Sequence, residues 1–134
     1  MATKIFTSSP ISTENGLAIV RIITGLLMAY HGLEIFNREL MVGYVNWDVI
    51  RGLPAPEFMV YLGKGLELVT GILLTAGLFT RMTTILIMGN MLFICFFVGS
   101  GKFYSEDQHP FLFAVIGFLF FMTGPGSWSV RSGK

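Results

Sequence analysis

Cysteine and charge are both scarce in this chain. The single cysteine, Cys95, excludes an intrachain disulfide and any metal site made of cysteines alone. Charged residues are 13% of the 134 positions and the net charge is +1, whereas an ordinary soluble domain has about 25% charged residues. The sequence has no basic patch, so we expect no nucleic-acid partner. The shortage of charge indicates that a lipid bilayer surrounds this chain.

Long apolar runs are abundant instead, since 53% of the residues are hydrophobic. About 20 helical residues, each rising about 1.5 Å, cross the roughly 30 Å hydrocarbon core of a bilayer. The sequence predicts four such spans, at about 17–36, 58–78, 82–98 and 111–122. The fourth is short, and it reaches both interfaces only if His109, Pro110 and Thr123 lie in them. We therefore predict an all-α membrane protein built as a four-transmembrane-helix bundle.

The connection between the first two spans, 37–57, is too apolar for a solvated loop. We predict that it forms an interfacial flap or a short helix, with Tyr44 and Trp47 at headgroup level. Such a segment could cap a site between the helices. The whole chain then divides into a polar N-terminal segment (1–16), a four-helix membrane domain (17–124) and a C-terminal tail (125–134).

Lysine and arginine residues near the ends of the spans favour one orientation. Four spans place both termini on the same side of the membrane. The basic residues on that side are Lys4, Arg21, Arg81, Arg131 and Lys134. Those on the opposite side are Arg38, Arg51 and Lys102. Because basic residues are enriched on the cytoplasmic side, we predict that both termini are cytoplasmic.

Four ionisable residues lie inside the first two spans, near one surface. His31 lies five residues before the end of the first span and Lys64 six residues after the start of the second, so both are about 8–9 Å deep. Glu34 is shallower, and Glu67 is deeper at about 13 Å. A charge in the hydrocarbon costs about 2.5–3.5 kcal/mol, so Glu67 should be protonated, paired or turned toward the other helices. We therefore predict a ladder of charged and hydrogen-bonded side chains between these spans.

Small residues and one amide are predicted to hold the helices together. The residues that we assign to helix packing are Gly25, Gly32, Gly63, Gly71 and Asn90. Two of them, Gly63 and Gly71, lie four residues before and after Glu67, a spacing that favours a groove for another helix. The two on the first span lie on the same broad face as Arg21 and His31. The asparagine is suited to a hydrogen bond between helices.

Each polar residue also has a purely structural explanation. Arg21 and Arg81 lie near helix ends, where arginine side chains reach the membrane surface or anchor the orientation. Lys64 precedes Glu67 by three residues, and this pair alone could fix the helix register. His31 could be a satisfied core histidine. Because the chain has one other histidine, we expect no metal site made by the protein alone.

Several motifs follow one another in a set order along the chain. They are Arg21 with Gly25, His31-Gly32, the LPAP run at Leu53–Pro56, the run Glu67–Arg81, and GPGSWSV at Gly124–Val130. In this order and spacing they resemble the DoxX family of small four-helix bacterial inner-membrane proteins. One position departs from the family pattern, which usually has lysine after His-Gly-x, because this chain has Glu34 there. We hypothesise that Lys64 on the facing helix supplies the missing positive charge.

The resemblance implies a bacterial inner-membrane protein associated with quinone-linked redox systems. We expect an accessory subunit of a membrane redox assembly, with a quinone as candidate ligand and with other membrane subunits or a second copy as partners. The residues assigned to ligand binding or proton relay are Arg21, His31, Lys64, Glu67 and Arg81. Two other functions stay open: a structural subunit of a larger respiratory complex, and a small transporter. The sequence has no nucleophile–base pair and no GxGxxG motif, so it gives no support for catalysis by this chain alone.

Overall fold

The structure, a computed structural model, describes residues 5–99, 101–102, 105 and 108–130. In these residues all regular secondary structure is helical, which confirms the prediction of an all-α protein for this part of the chain. The helices that form the fold are α1 Thr13–Gly32, α2 Arg38–Val45, α3 Asp48–Arg51, α4 Pro56–Ala76, α5 Thr80–Phe93 and α6 Gln108–Thr123. A 3-10 helix at Leu33–Phe36 extends α1, and a π-helix at Ile94–Val98 extends α5.

Three of these helices are long and apolar enough to cross a membrane. They are Thr13–Phe36 with 24 residues, Pro56–Ala76 with 21 and Thr80–Val98 with 19. Their outward side chains are largely apolar and exposed, as lipid-facing residues would be. The fourth helix, α6, has 16 residues and is therefore only about 24 Å long. The first three predicted spans are thus supported by length and composition, and the fourth stays a prediction.

The helix ends differ from the predicted boundaries. α1 begins at Thr13, so this helix includes the last four residues of the predicted polar N-terminal segment. α4 begins at Pro56. Proline is favoured at the first position of a helix, because the N–H that it lacks would have no partner within the helix. α4 ends in a Schellman turn at Gly77, whose φ is 73°, with the Leu78 N–H donating to the Leu73 carbonyl oxygen at 3.0 Å.

α1 and α4 form the most extensive helix contact, and glycines make this contact possible. A Cβ added to Gly25 would lie 2.8 Å from the Gly71 carbonyl oxygen, and one added to Gly71 would lie 2.8 Å from Ala29 Cα. A Cβ on Gly32 would overlap the backbone of Leu68. These three glycines therefore lie where helix packing was predicted, at points where the two backbones touch.

Gly63 makes no such close contact. It is half-buried, and an added Cβ would meet only Asn90 Oδ1 at 3.8 Å, which is ordinary van der Waals contact. The Asn90 side chain donates from Nδ2 to the Gly63 carbonyl oxygen at 3.4 Å and so links α5 to α4. The close helix approach predicted at Gly63 is therefore absent. At this level the amide side chain of Asn90 lies between the backbones of α4 and α5.

The long helices follow one another around a shared core. α4 packs on α5 and α5 packs on α6, whereas α1 and α6 touch at only a few positions. The buried core residues between them are Met28, Leu74, Ile87, Met91, Ala114 and Phe120. Three sides of this arrangement are therefore closed by helix contacts, and the side between α1 and α6 is more open.

The connection between α1 and α4 folds into two short helices, whereas the sequence left a flap and a short helix as alternatives. Met41 on α2 and Ile50 on α3 are buried and pack with Val60 on α4. This second, smaller core fixes the connection against the first half of α4. Whether Tyr44 and Trp47 lie at headgroup level stays a prediction.

The C-terminal segment 124–130 is packed against the helices rather than trailing from them. The Ser127 N–H donates to the Glu14 carbonyl oxygen at 3.1 Å, and the Val130 N–H donates to the Ala76 carbonyl oxygen at 2.7 Å. This part of the predicted tail is therefore tied to the start of α1 and the end of α4. Of the residues used to predict orientation, Lys4, Arg131 and Lys134 lie outside the described residues.

Candidate functional site

Lys64 lies at the centre of a polar cluster formed by α1, α2 and α4. Its Nζ lies 2.8 Å from Oε1 of Glu34, in the 3-10 extension of α1, and 3.3 Å from Oε1 of Glu67, one turn further along α4. Lys64 thus lies opposite Glu34, as the hypothesis of a compensating charge requires. The exposed fractions of the side chains are 28% for Glu34, 14% for Lys64 and 8% for Glu67. Burial therefore increases from Glu34 to Glu67, in the order expected from counting depth.

Tyr44, on α2, completes the cluster from the connection. Its hydroxyl donates to Glu34 Oε1 at 2.7 Å, and its ring centroid lies 5.0 Å from Lys64 Nζ, within cation–π range. Burial raises the pKa of Tyr44 above its ordinary value of 10.0, and the hydrogen bond to Glu34 raises it further. Sequence reasoning missed this contact, because an aromatic residue in an apolar connection equally fits the membrane interface.

The cluster has two carboxylates for one ammonium group. Lys64 contacts both Glu34 and Glu67, so its single charge is shared between them. An unmatched charge is costly in an apolar environment. Because the Tyr44 hydroxyl already donates to Glu34, Glu67 is the carboxylate that a proton or a further hydrogen-bond donor would match.

A cavity of about 500 Å³ lies beside the cluster, between α1, α4, α5 and α6. Lys64 and Glu67 form part of its wall, and the only two histidines of the chain, His31 and His109, also line it. Its remaining lining residues are mainly apolar: Thr24, Leu27, Met28, Met91, Ile94, Pro110, Leu112, Phe113 and Ile116. A mostly apolar cavity with a few converging polar groups is typical of small-molecule sites.

A second cavity, of about 210 Å³, lies on the other side of Lys64 and Glu67. Tyr44, Trp47 and other residues of the connection cover it, and Asn90 lines it from α5. Lys64 and Glu67 therefore separate a cavity beneath the connection from the larger cavity near α6. A change in the charge of this pair would alter the electrostatic potential in both cavities.

Arg21 lies away from this cluster. Its side chain is fully buried, and its guanidinium donates to the carbonyl oxygens of Pro125, Ser127 at 2.8 Å and Trp128 at 2.7 Å. It also reaches the Thr75 carbonyl oxygen at 3.4 Å. Arg21, which was assigned to ligand binding from the sequence, therefore does not share a site with the cluster. Arg21 does not extend to the membrane surface either, because carbonyl groups of the C-terminal segment surround its charge.

Arg81 is also separate from the cluster. It is exposed in the first turn of α5, with its guanidinium carbon 5.5 Å from the ring centroid of Phe121. α4 continues for twelve residues after Lys64 before this turn, so about three helical turns separate Arg81 from the cluster. This placement fits the anchoring explanation for Arg81.

The chemistry available at the cluster is hydrogen bonding and proton exchange. Among the described residues, no group of three or more histidine, cysteine, aspartate or glutamate side chains is arranged to hold a metal ion. Lys64 and the histidines can donate hydrogen bonds, and Glu67 can accept them or carry a proton. These groups suit a ligand with an apolar body and oxygen acceptors.

Comparison with known proteins gives two findings. The family model described as DoxX matches residues 16–100. A protein of Bacillus subtilis (strain 168) named "Putative oxidoreductase CatD" is 37% identical over 75 residues, which are 56% of this chain and 53% of that protein. The match thus spans about half the length of this curated relative. No solved structure matches the chain significantly.

Proposed function

The chain belongs to the DoxX family, and from this premise we propose that it is an accessory subunit of a quinone-linked redox assembly in a bacterial inner membrane. The name of the Bacillus subtilis relative points in the same direction, since it describes an oxidoreductase. The polar cluster of this chain would then bind the headgroup of a lipid-soluble quinone, and partner subunits would supply electrons.

The observation that carries this proposal is the cavity of about 500 Å³ beside the cluster. Its volume lies in the range of about 300–1,000 Å³ that is usual for small-molecule sites. It combines hydrogen-bond donors, from His31 and Lys64, with a buried carboxylate, from Glu67, on otherwise apolar walls. A quinone headgroup requires the same combination: donors for its ring oxygens and apolar surface for its ring.

The residues of this chain would bind and orient the ligand and exchange protons with it. A quinone supplies two-electron, two-proton carrier chemistry when bound. His31 would donate a hydrogen bond to one ring oxygen. Glu67 would hold a proton near the ring, because Lys64 cannot fully match both of its carboxylate neighbours. The apolar walls would keep bulk water from these groups.

We also propose that all four long helices cross the membrane and that both termini are cytoplasmic. α6 packs along α5, and its length of about 24 Å is sufficient if the interfacial residues at its ends complete the span. The predicted excess of basic residues on the terminal side supports this orientation. Alternating accessibility of cysteines introduced into the connections would test it.

The proposal is tested by purifying the chain in a mild detergent and analysing what it retains. We expect extracted quinone in the wild-type sample, together with co-purifying redox proteins, and loss of the quinone in Glu67→Gln and His31→Phe. Arg51→Ala is the control, because Arg51 is exposed and its one ion pair among the described residues is with the exposed Asp48 at 3.7 Å. Equal quinone content in all variants, or none in the wild type, would contradict the proposal.

A second candidate function is an assembly subunit of a larger membrane complex. An apolar groove on the outer surface of α4 and α5 favours it, because this groove contains two glycines, Gly63 and Gly89, and the polar Asn90. Gly63→Leu and Gly89→Leu should then abolish co-purification of partners while leaving quinone content unchanged. Gly71 is unsuitable for this test, because it is already used in the contact between α1 and α4.

A further inference from the structure

The exposure of the residues that line the larger cavity shows where this cavity opens. Its lining residues on α4 and α5, among them Glu67 and Met91, are buried or half-buried. The exposed lining residues are Leu27, His31, His109 and Leu112, and all four belong to α1 or α6. These are also the two long helices that touch at only a few positions. The mouth of the cavity therefore lies between α1 and α6.

The surroundings of this mouth are apolar except for the two imidazoles. Leu27 on α1 is 50% exposed and Leu112 on α6 is 46% exposed. Side chains of this kind on a membrane helix face lipid, so the mouth opens sideways toward the bilayer. His109 is the second residue of α6 and lies on the same cavity as His31, which is near the end of α1.

We propose that the ligand enters from the lipid between α1 and α6 and that His109 is a second ligand-contacting residue at this mouth. The inference rests on the proposed function. Lys64 and Glu67 would meet an oxygen at the inner edge of the ligand ring, and His109, together with His31, would donate to the oxygen at the outer edge. The matching ligand is a flat ring with oxygens on opposite edges and an apolar tail that stays in the bilayer.

This arrangement explains why the cavity has polar groups at two separate places. A ligand with one polar end needs donors only at the inner wall, where the cluster already provides them. The imidazole of His109 is exposed at this mouth, and a ring oxygen at the outer edge of the ligand would accept a hydrogen bond from it. The tail would continue outward past Leu27 and Leu112.

Equilibrium binding of a radiolabelled decyl-tailed benzoquinone to the chain in nanodiscs, corrected with empty nanodiscs, tests this inference. We expect His109→Phe to weaken binding about tenfold, as loss of one hydrogen bond would, and His109→Gln to restore most of it through its amide N–H. In a time course of binding to the same nanodiscs, Leu112→Trp should slow association at least about tenfold by narrowing the mouth. Leu119→Trp is the matched control, because Leu119 has similar exposure, 44%, two turns along α6, and does not line the cavity.

The outcomes separate this inference from the proposal on which it rests. Saturable binding that is lost in Glu67→Gln but unchanged in His109→Phe and Leu112→Trp would contradict ligand entry between α1 and α6. It would still support quinone binding at the cluster. No saturable binding by the wild type would overturn both. Thermal unfolding of each variant identifies misfolding, and His109→Gln keeps the test decisive if Leu112→Trp does not fold.

Discussion

Replacing Lys64 by methionine should leave the buried carboxylate of Glu67 without its ion-pair partner. The side chain of Glu67 is 8% exposed, and Lys64 Nζ is its only hydrogen-bond donor among the interactions of the described residues. The carboxylate of Glu34 loses less stabilisation, because it is 28% exposed and keeps the hydrogen bond from Tyr44. Removing one partner of a buried ion pair costs about 3–5 kcal/mol. We expect the lower end, about 3 kcal/mol, since one of the two carboxylates stays partly solvated.

A second substitution shows whether this cost comes from the stranded charge. Glu67→Gln alone should cost about 1 kcal/mol, because Lys64 keeps its contact with Glu34. In the double variant Lys64→Met, Glu67→Gln, no charge is left at residue 67, so we expect a loss of about 1.5 kcal/mol. The double variant should therefore be more stable than Lys64→Met alone, although it carries one more substitution.

Unfolding in mixed micelles with increasing fractions of denaturing detergent measures these free energies. Arg51→Ala provides the baseline and should change stability by less than about 0.5 kcal/mol, as exposed ion pairs generally do. The coupled cluster of Glu34, Lys64 and Glu67 would be contradicted if the stability of Lys64→Met stays within about 0.5 kcal/mol of the wild type. It would also be contradicted if the double variant is no more stable than Lys64→Met.

Three further predictions follow from the contacts around the cluster. Gly71→Ala should lower the free energy of unfolding by about 1–3 kcal/mol through overpacking. Gly63→Ala has room for its methyl group and should change that free energy by less than about 0.5 kcal/mol. Equal effects in the same unfolding assay would contradict the packing described. Arg21→Lys should lose about 2 kcal/mol, because lysine cannot reach all the carbonyl groups of the C-terminal segment. A cysteine placed at the half-buried Ser129 should then react faster with maleimide; unchanged labelling would count against the contacts between Arg21 and this segment. The raised pKa of Tyr44 predicts a contribution to stability that is complete below pH 10.0 and is lost as the pH rises beyond that; Tyr44→Phe should remove this alkaline loss, and identical alkaline profiles would argue against it.

The polar cluster could largely be predicted from sequence because depth along a helix follows directly from residue number. Lys64 and Glu67 are one turn apart, and Glu34 comes from the neighbouring helix slightly nearer the same surface. His31, predicted at the depth of Lys64, lines the adjacent cavity instead. Tyr44 could not be placed in this way. Its position depends on how the connection folds back on α4, and that path is fixed by the buried contacts of Met41.

The partners of Arg21 and the different roles of Gly63 and Gly71 depend on tertiary structure alone. The groups that bind Arg21 are backbone carbonyls, which every residue has and which therefore leave no signal in a sequence. The two glycines have the same spacing from Glu67, yet only Gly71 meets another backbone. The spacing predicts which residues share a helix face but not how closely the next helix approaches.

Photolabelling tests quinone binding at the cluster most directly. An azido-quinone activated in native membranes, followed by mass spectrometry of the chain, would report which residues lie next to the ring. We predict adducts on peptides that contain His31, Glu67 or His109, with loss of labelling when unlabelled quinone is added in excess. Adducts spread over the outer surfaces of the helices, and unaffected by that competition, would contradict a quinone site in this cavity.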